Sequence, residues 1–299
     1  MARIVLADDG IEFDAETARE KPLGGAESSV VFLVEELARR GHEVRVRNRC
    51  PRPGTVGGVE WAPIHRAGAP YGNMPAEADL YIATRGDKLI PLMPRAPVGA
   101  HHLMRAGIRP RARRVAFWTH NPAQYLLKAR YLWKLWRVRP TIVFIGDYHA
   151  TTCPAWVPDG GRKTIPYGIP ELFRSAQPIA RPPAPRAVFT SNPLRSLDWL
   201  LTLWTTRIRP KVANAELHVF AGPSTYGGVG AAKSAEMASV LARAESMRGE
   251  GVVVRGPVPK NQLVAEFRAA RAMLYRGDLN ETFCLAVGEA QASGVPAVV

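Results

Sequence analysis

The chain has little cysteine and no long apolar run, and each absence excludes something. Cys50, Cys153 and Cys284 are its three cysteines in 299 residues. They stand far apart and in no metal-ligand spacing, which excludes a disulfide framework and fits a reducing cytoplasm. No apolar stretch approaches the roughly 18–20 residues that span a bilayer, and the N-terminus MARIVLADDG turns acidic too early for a signal peptide. There is no G-x-G-x-x-G, and the loop from Asp8 to Gly24 is too long for a dinucleotide turn, which argues against a nicotinamide enzyme. Acidic residues are also scarce beside basic ones: 26 against 40, a net charge of +14.

A basic surface attracts phosphates of any kind, whether nucleic acid, anionic lipid or nucleotide, unless its arginines are simply solvated. Local clusters occur at RPRARR (Arg109–Arg114) and KARYLWKLWRVR (Lys128–Arg139). No recognised nucleic-acid motif accompanies them, so nucleic acid is not an expected partner. In the second cluster Trp133 and Trp136 share a helix face, with Leu132 and Leu135 bordering it and Lys128, Arg130, Lys134 and Arg137 around it. That pattern fits an interfacial helix, and so a peripheral contact with the inner face of a membrane; the alternative is a helix packed on a sheet with its aromatics inward. The expected location is cytoplasmic.

What is present is an alternation of strands and helices. Apolar content of 46% is ordinary for a globular protein. RIVLA reads as a buried strand. Ala26 to Arg40 reads as a helix with Val30, Leu33, Val34 and Leu37 on one face, ended by Gly41. HEVRVR alternates as the next strand, so the sheet is parallel. LYIAT, RVAFW and TIVFIG are further strands, the last two separated by a helix from Gln124 to Trp136. QPIARPPAPR then reads as an extended linker. Beyond it come the strands AVFTS and ELHVF around the helix Ser196–Arg207, and a glycine-rich loop, Gly222–Gly230. A helix through Arg248, the strand GVVVRG, the helix Asn261–Ala270, the strand AMLYR, a helix from about Cys284 and the strand PAVV complete the chain. The expected organisation is a domain over 1–177, a linker over 178–186 and a second α/β domain over 187–299.

In open α/β sheets, ligands collect at the carboxyl ends of the strands. Gly24 and Gly25 open the first helix, where a backbone approaches a ligand closely and the helix start favours an anion. A turn with no ligand is the simpler reading of two glycines. His120 ends a strand, placed to bond a sugar hydroxyl, to move a proton, or merely to bond locally. Glu281 lies in the loop before the last helix, and the amides of Thr282, Phe283 and Cys284 are read as that helix's first donors, suited to a phosphate. Glu289, eight residues after Glu281, can accept two hydrogen bonds from a ribose diol. Together these make a grip for a nucleotide sugar.

ETFCLAVGEAQASGVPAVV resembles the E-x7-E signature of glycosyltransferase family 4, retaining enzymes with the GT-B fold. GGAESSVVFLVEELARRGHEVRV resembles that family's glycine loop and first helix. IPYGIPELF resembles its segment before the hinge, with Tyr167 where an asparagine is usual. TSNPLRSLDWLL resembles the variant that opens its second domain. The resemblance implies two Rossmann-like domains facing each other across a cleft. It implies a retaining transfer of sugar from a nucleoside diphosphate to a glycan, lipid or other acceptor, in envelope or surface polysaccharide synthesis.

Carried onto this sequence, the resemblance puts Glu281 at the donor sugar, Glu289 on the ribose and Arg195 against the departing diphosphate. Gly24 and Gly25 would let phosphate and acceptor approach, and His120 would line the acceptor pocket. Asn192 stands where a second basic residue is usual, and it supplies no charge. No D-x-D occurs, so neither a metal nor another cofactor is expected. Members of the family continue well past this last strand, so the second domain is expected to be incomplete and a non-catalytic relative is the alternative.

Overall fold

The computed structural model describes residues 1–91, 110–175 and 181–299. Two compact units make up the chain: Met1–Ala15 with Ser29–Tyr167, and Glu16–Ser28 with Gly168–Val299. The sequence reading changes domain at 177, whereas the units divide at Tyr167 and return 16–28 to the second. Arg109 of the first basic cluster, and 178–180 of the expected linker, lie outside the described residues.

The first unit is built on an eight-stranded sheet in the order β3-β4-β2-β1-β5-β6-β7-β8. Its strands are β1 (Arg3–Glu12), β2 (Glu43–Arg49), β3 (Gly54–Val56), β4 (Val59–Pro63), β5 (Glu77–Thr84), β6 (Arg111–Trp118), β7 (Thr141–Phe144) and β8 (Arg162–Thr164). All neighbours are parallel except β3 and β4. Those two form a hairpin closed by Gly57 and Gly58, both at positive φ, as a tight two-residue turn requires. The helix after β1, α1 (Gly25–Arg39), buries Val30, Val31 and Val34. Tyr81, Phe117, Leu126, Leu135, Ile142 and Phe144 form part of the core beneath the sheet, each worth about 1.5–3 kcal/mol when fully buried.

The helix expected over Gln124–Trp136 is two pieces. Ala123–Leu127 is a 3-10 turn, Lys128 is extended at ψ 136, and α2 runs Ala129–Val138. Arg139, left-handed at φ 48, ends it before Pro140.

The second unit holds a parallel sheet in the order β11-β10-β9-β12-β13. These strands are β9 (Arg186–Phe189), β10 (Glu216–Val219), β11 (Val252–Val254), β12 (Ala272–Leu274) and β13 (Ala297–Val298). Between them run α3 (Leu197–Leu203), α4 (Ser234–Ser246), α5 (Lys260–Arg268) and α6 (Leu285–Ala292). Val188, Phe189, Leu201, Trp204, Leu217, Phe267 and Met273 lie in its core. The expected loop Gly222–Gly230 is ordered into a 3-10 turn at Pro223–Tyr226 and a short helix, Gly227–Ala232. The helix expected over Ser196–Arg207 starts one residue later as α3 and loosens into a π turn at Trp204–Ile208.

Candidate functional site

In the second sheet the chain steps outward from β9 to β10 and β11, then returns to the other side of β9 as β12. The carboxyl ends of β9 and β12 therefore flank the point where strand order reverses, the place where open α/β sheets bind ligands. The loop after β9 carries Asn192 and Arg195, and the loop after β12 carries Glu281. Arg195 Nη1 donates to both carboxylate oxygens of Glu281, at 2.9 and 2.8 Å. The pair is not deeply buried, with side chains 41% and 17% exposed.

Local structure fixes both partners. Asn192 Oδ1 accepts from the Leu194 N–H at 2.9 Å, and its carbonyl accepts from the Arg195 N–H at 2.8 Å, closing the turn that presents Arg195. Asn192 thus shapes the loop through both its side-chain oxygen and its backbone carbonyl. Ser196, left-handed at φ 66, donates from Oγ to the Gly277 carbonyl at 2.7 Å and ties the two loops together. On the other side Tyr275 Oη donates to Glu281 Oε2 at 2.5 Å. Burial and the hydrogen bond to Glu281 push the Tyr275 phenol well above its usual range, so it remains a donor. Burial likewise pushes the Cys284 thiol up to about 11, which keeps it a thiol.

Helix α6 begins at Leu285 with Cys284 as its cap residue. Thr282 and Phe283 therefore precede the helix, and its first-turn amides start one residue beyond those expected. The first residue of α1 meets the first residue of α6: a Cβ on Gly25 would stand 2.9 Å from Leu285 Cδ1. Glycine at 25 is what allows this approach, and two helix N-termini, each carrying partial positive charge, begin beside one another. Gly24 is packed against Glu27, whose Oε2 would lie 2.4 Å from an added Cβ.

Glu289 is not the open acid that a ribose grip calls for. It is 1% exposed, and Lys260 Nζ donates to its two oxygens at 2.6 and 2.7 Å. Burial raises the Glu289 carboxyl above its usual value, while the Lys260 charge and hydrogen bonds pull it back. Sequence reading missed Lys260. Its signal is a lysine opening a helix directly after the strand VVV and a Pro-containing turn.

In the first unit, strand order reverses between β1 and β5. Asp8 and Thr84 pair across that ladder. The buried Asp8 accepts from Thr84 Oγ1 at 2.6 Å and from the Gly10 N–H at 2.7 Å, and Arg85 Nη2 lies 3.3 Å from it. Arg85 itself is left-handed at φ 62, an uncommon conformation for a side chain of that size. Burial, then the Asp8 charge, pushes the neighbouring Asp9 carboxyl up. Asp8 and Arg85 were also passed over, although ADDG and TRGD each follow an apolar strand.

His120 lies beyond the end of β6. Its Nδ1 is 2.5 Å from Tyr167 Oη, and its ring centre is 4.7 Å from that of Trp118. Burial first, then the charges of Arg85 and His149, hold its pKa well below the usual histidine value. At neutral pH it is a neutral hydrogen-bonding group.

The two Rossmann-like parallel sheets are those of the GT-B fold. Solved structures of glycosyltransferases match over nearly the whole chain. A sucrose-phosphate synthase from Thermosynechococcus elongatus superposes with a TM-score of 0.64 at 14% identity, covering 98% of this chain and 80% of that one. The Anabaena protein HepE, solved in complex with UDP and glucose, gives 0.61 at 16% identity, covering 100% and 80%. An α,α-trehalose-phosphate synthase (UDP-forming) from Burkholderia vietnamiensis gives 0.61 at 13% identity, covering 98% and 80%. No protein-family profile and no curated protein matches the sequence.

Proposed function

We propose that this protein is a glycosyltransferase that moves a sugar from a nucleoside-diphosphate donor to a glycan, a lipid-linked acceptor or another acceptor, with retention and without a metal. The observation that carries the reading is the Arg195–Glu281 pair spanning the reversal of strand order in the second unit. A departing nucleoside diphosphate gathers negative charge, and preorganised cations and amides stabilise it without reorganising. Arg195 supplies the cation, and the adjoining starts of α1 and α6 supply partial positive charge. Glu281, aimed by Arg195 and Tyr275, contacts the donor sugar. Glu289, with both oxygens bonded to Lys260, supports the nucleotide end of the same grip rather than meeting a ribose directly. In the first unit His120, with Arg85 nearby, lines the acceptor pocket, as a neutral imidazole that bonds a hydroxyl.

The resemblance of its motifs to those of glycosyltransferase family 4 favours a role in envelope or surface polysaccharide synthesis. A basic, tryptophan-bearing face on α2 fits an acceptor held at an anionic membrane surface. A thermal-shift panel of nucleotide sugars, with a donor-turnover assay on the wild type and Glu281→Gln, tests the proposal. Stabilisation by a nucleotide sugar and turnover lost in Glu281→Gln are expected. Nucleotide binding without turnover would instead identify a non-catalytic relative, and no binding of any nucleotide would overturn the reading.

A further inference from the structure

The buried pair of Lys260 and Glu289 has no evident structural purpose. Taking two charges out of water costs more than their attraction commonly returns, and apolar side chains of similar volume serve stability as well or better. Lys260 is the first residue of α5, on the loop that follows the carboxyl end of β11. The loops bearing Arg195 and Glu281 leave the same edge of the same sheet, after β9 and β12. The pair thus lies on the ligand-binding edge of the fold.

Its members are not equally placed. The Glu289 side chain is 1% exposed, whereas that of Lys260 is 12% exposed. An ammonium has three N–H donors. Two point to the Glu289 oxygens, at 2.6 and 2.7 Å, which leaves one to meet a ligand arriving from solvent. The other elements packed on α6 bring Glu171 and Arg174, which are bonded to each other on the surface, and Glu27 in the turn near Leu285. None of these shifts Glu289; Lys260 does.

We propose that Lys260 is a further nucleotide-binding residue. Its ammonium, pinned and oriented by Glu289, donates its third N–H to an oxygen of the bound nucleotide, and Glu289 acts through it as a positioning residue. The inference rests on the nucleotide-sugar reading above. The oxygen belongs either to a phosphate or to the ribose, two sources of the same acceptor chemistry.

The test uses the full chain with UDP, uridine 5′-monophosphate, uridine and 2′-deoxy-UDP, after a preliminary panel with ADP and GDP to fix the base. Lys260→Met alone leaves a buried acid unpaired and is prone to unfold, so the deciding variant is the double substitution Lys260→Met with Glu289→Leu, which removes both charges. It is expected to fold and to bind the diphosphate about 10- to 100-fold more weakly than the wild type, the range for a lost charged hydrogen bond. Lys260→Arg, which keeps the charge, is expected to recover part of that loss. A loss confined to phosphate-bearing ligands assigns the contact to phosphate; a loss shared by uridine but not by 2′-deoxy-UDP assigns it to the ribose. Wild-type affinity for every ligand in the folded double variant overturns the proposal. Failure of the wild type to bind any nucleotide sinks the underlying functional reading instead, and this inference with it.

Discussion

Arg195 and Glu281 are 86 residues apart in the chain and share two hydrogen bonds through a single guanidinium nitrogen. The contact joins the loops after the first and fourth strands of the second sheet, and Tyr275 bonds the same carboxylate from the other side. The acid is therefore oriented before any ligand arrives. Preorganisation of this kind matters where charge changes during reaction.

Glu281→Gln is expected to abolish sugar transfer and leave the fold intact. The pair is partly solvated, so its loss should cost no more than about 1 kcal/mol of stability. A contact at the reacting centre affects rate, whereas a remote one affects affinity. Turnover and a denaturation curve measured on the same preparation check this; unchanged turnover removes Glu281 from the site.

Arg195→Ala should weaken a nucleoside diphosphate about 10- to 100-fold, the value of a charge-assisted contact, and leave the bare nucleoside nearly untouched. Calorimetric titration of both ligands decides it. Equal losses would make Arg195 a surface residue that merely holds Glu281.

Turnover is expected to persist in EDTA. The sequence has no D-x-D pair, and in the proposed mechanism Arg195 and the helix starts would supply the positive charge that the leaving group needs. Activity lost to the chelator and restored by Mg²⁺ or Mn²⁺ would refute this.

Much of the fold was legible in the sequence because its signals are local. VLA, VVV and TIVF are short apolar runs between polar loops, and α1 repeats its apolar residues with helical spacing. The hairpin of β3 and β4 was missed although VGGV names its turn, since strands of three to five residues carry little periodicity. The break at Lys128 was missed for the opposite reason: YLLKARYLWKLW repeats smoothly, and the extended residue inside it is set by packing of Tyr125, Leu126 and Tyr131. At the site, the E-x7-E spacing pointed to both acids. It said nothing of their partners, because Lys260 and Tyr275 reach them only through tertiary structure.

Below about pH 6.5 the protein should lose stability in part through His120. The native imidazole, buried well below its usual value of 6.5, resists protonation, whereas the unfolded one accepts the proton. In the window between 6.5 and the lower native value the unfolded state binds more protons, so stability falls as pH falls, by about 1.4 kcal/mol per unit for such a group. Glu289, whose carboxyl is raised, contributes with the opposite sign, but it is common to wild type and variant and cancels in their comparison. Denaturant titrations from pH 7 to pH 5 should give a shallower loss for His120→Gln than for the wild type. Equal slopes would show that His120 is protonated in the native state.

Helix α2 is expected to bind an anionic membrane surface. Trp133 and Trp136 are 50% and 63% exposed, so the inward packing of these two tryptophans is not what the fold adopts. Arg130 and Arg137 are exposed on the same helix. Lys134 is not one of the outward cations: its Nζ donates to the Asp87 carbonyl at 2.8 Å and to Asp87 Oδ2 at 2.9 Å. Two tryptophans and two arginines on a helix whose other face is fixed by the buried Tyr131 and Leu135 suit an anionic bilayer surface. Each basic residue near such a surface is worth about 1 kcal/mol, so Arg130→Gln with Arg137→Gln should weaken binding by about 2 kcal/mol. An acid at Lys134, or at Arg130, whose Nε lies 3.6 Å from Asp87 Oδ1, would stand against Asp87 and test the fold instead. Co-sedimentation with phosphatidylserine-containing vesicles at low salt is the measurement, with loss expected in neutral vesicles, in the double variant and at high salt. A wild type that leaves the anionic vesicles unbound at low salt would make this face an ordinary solvated one.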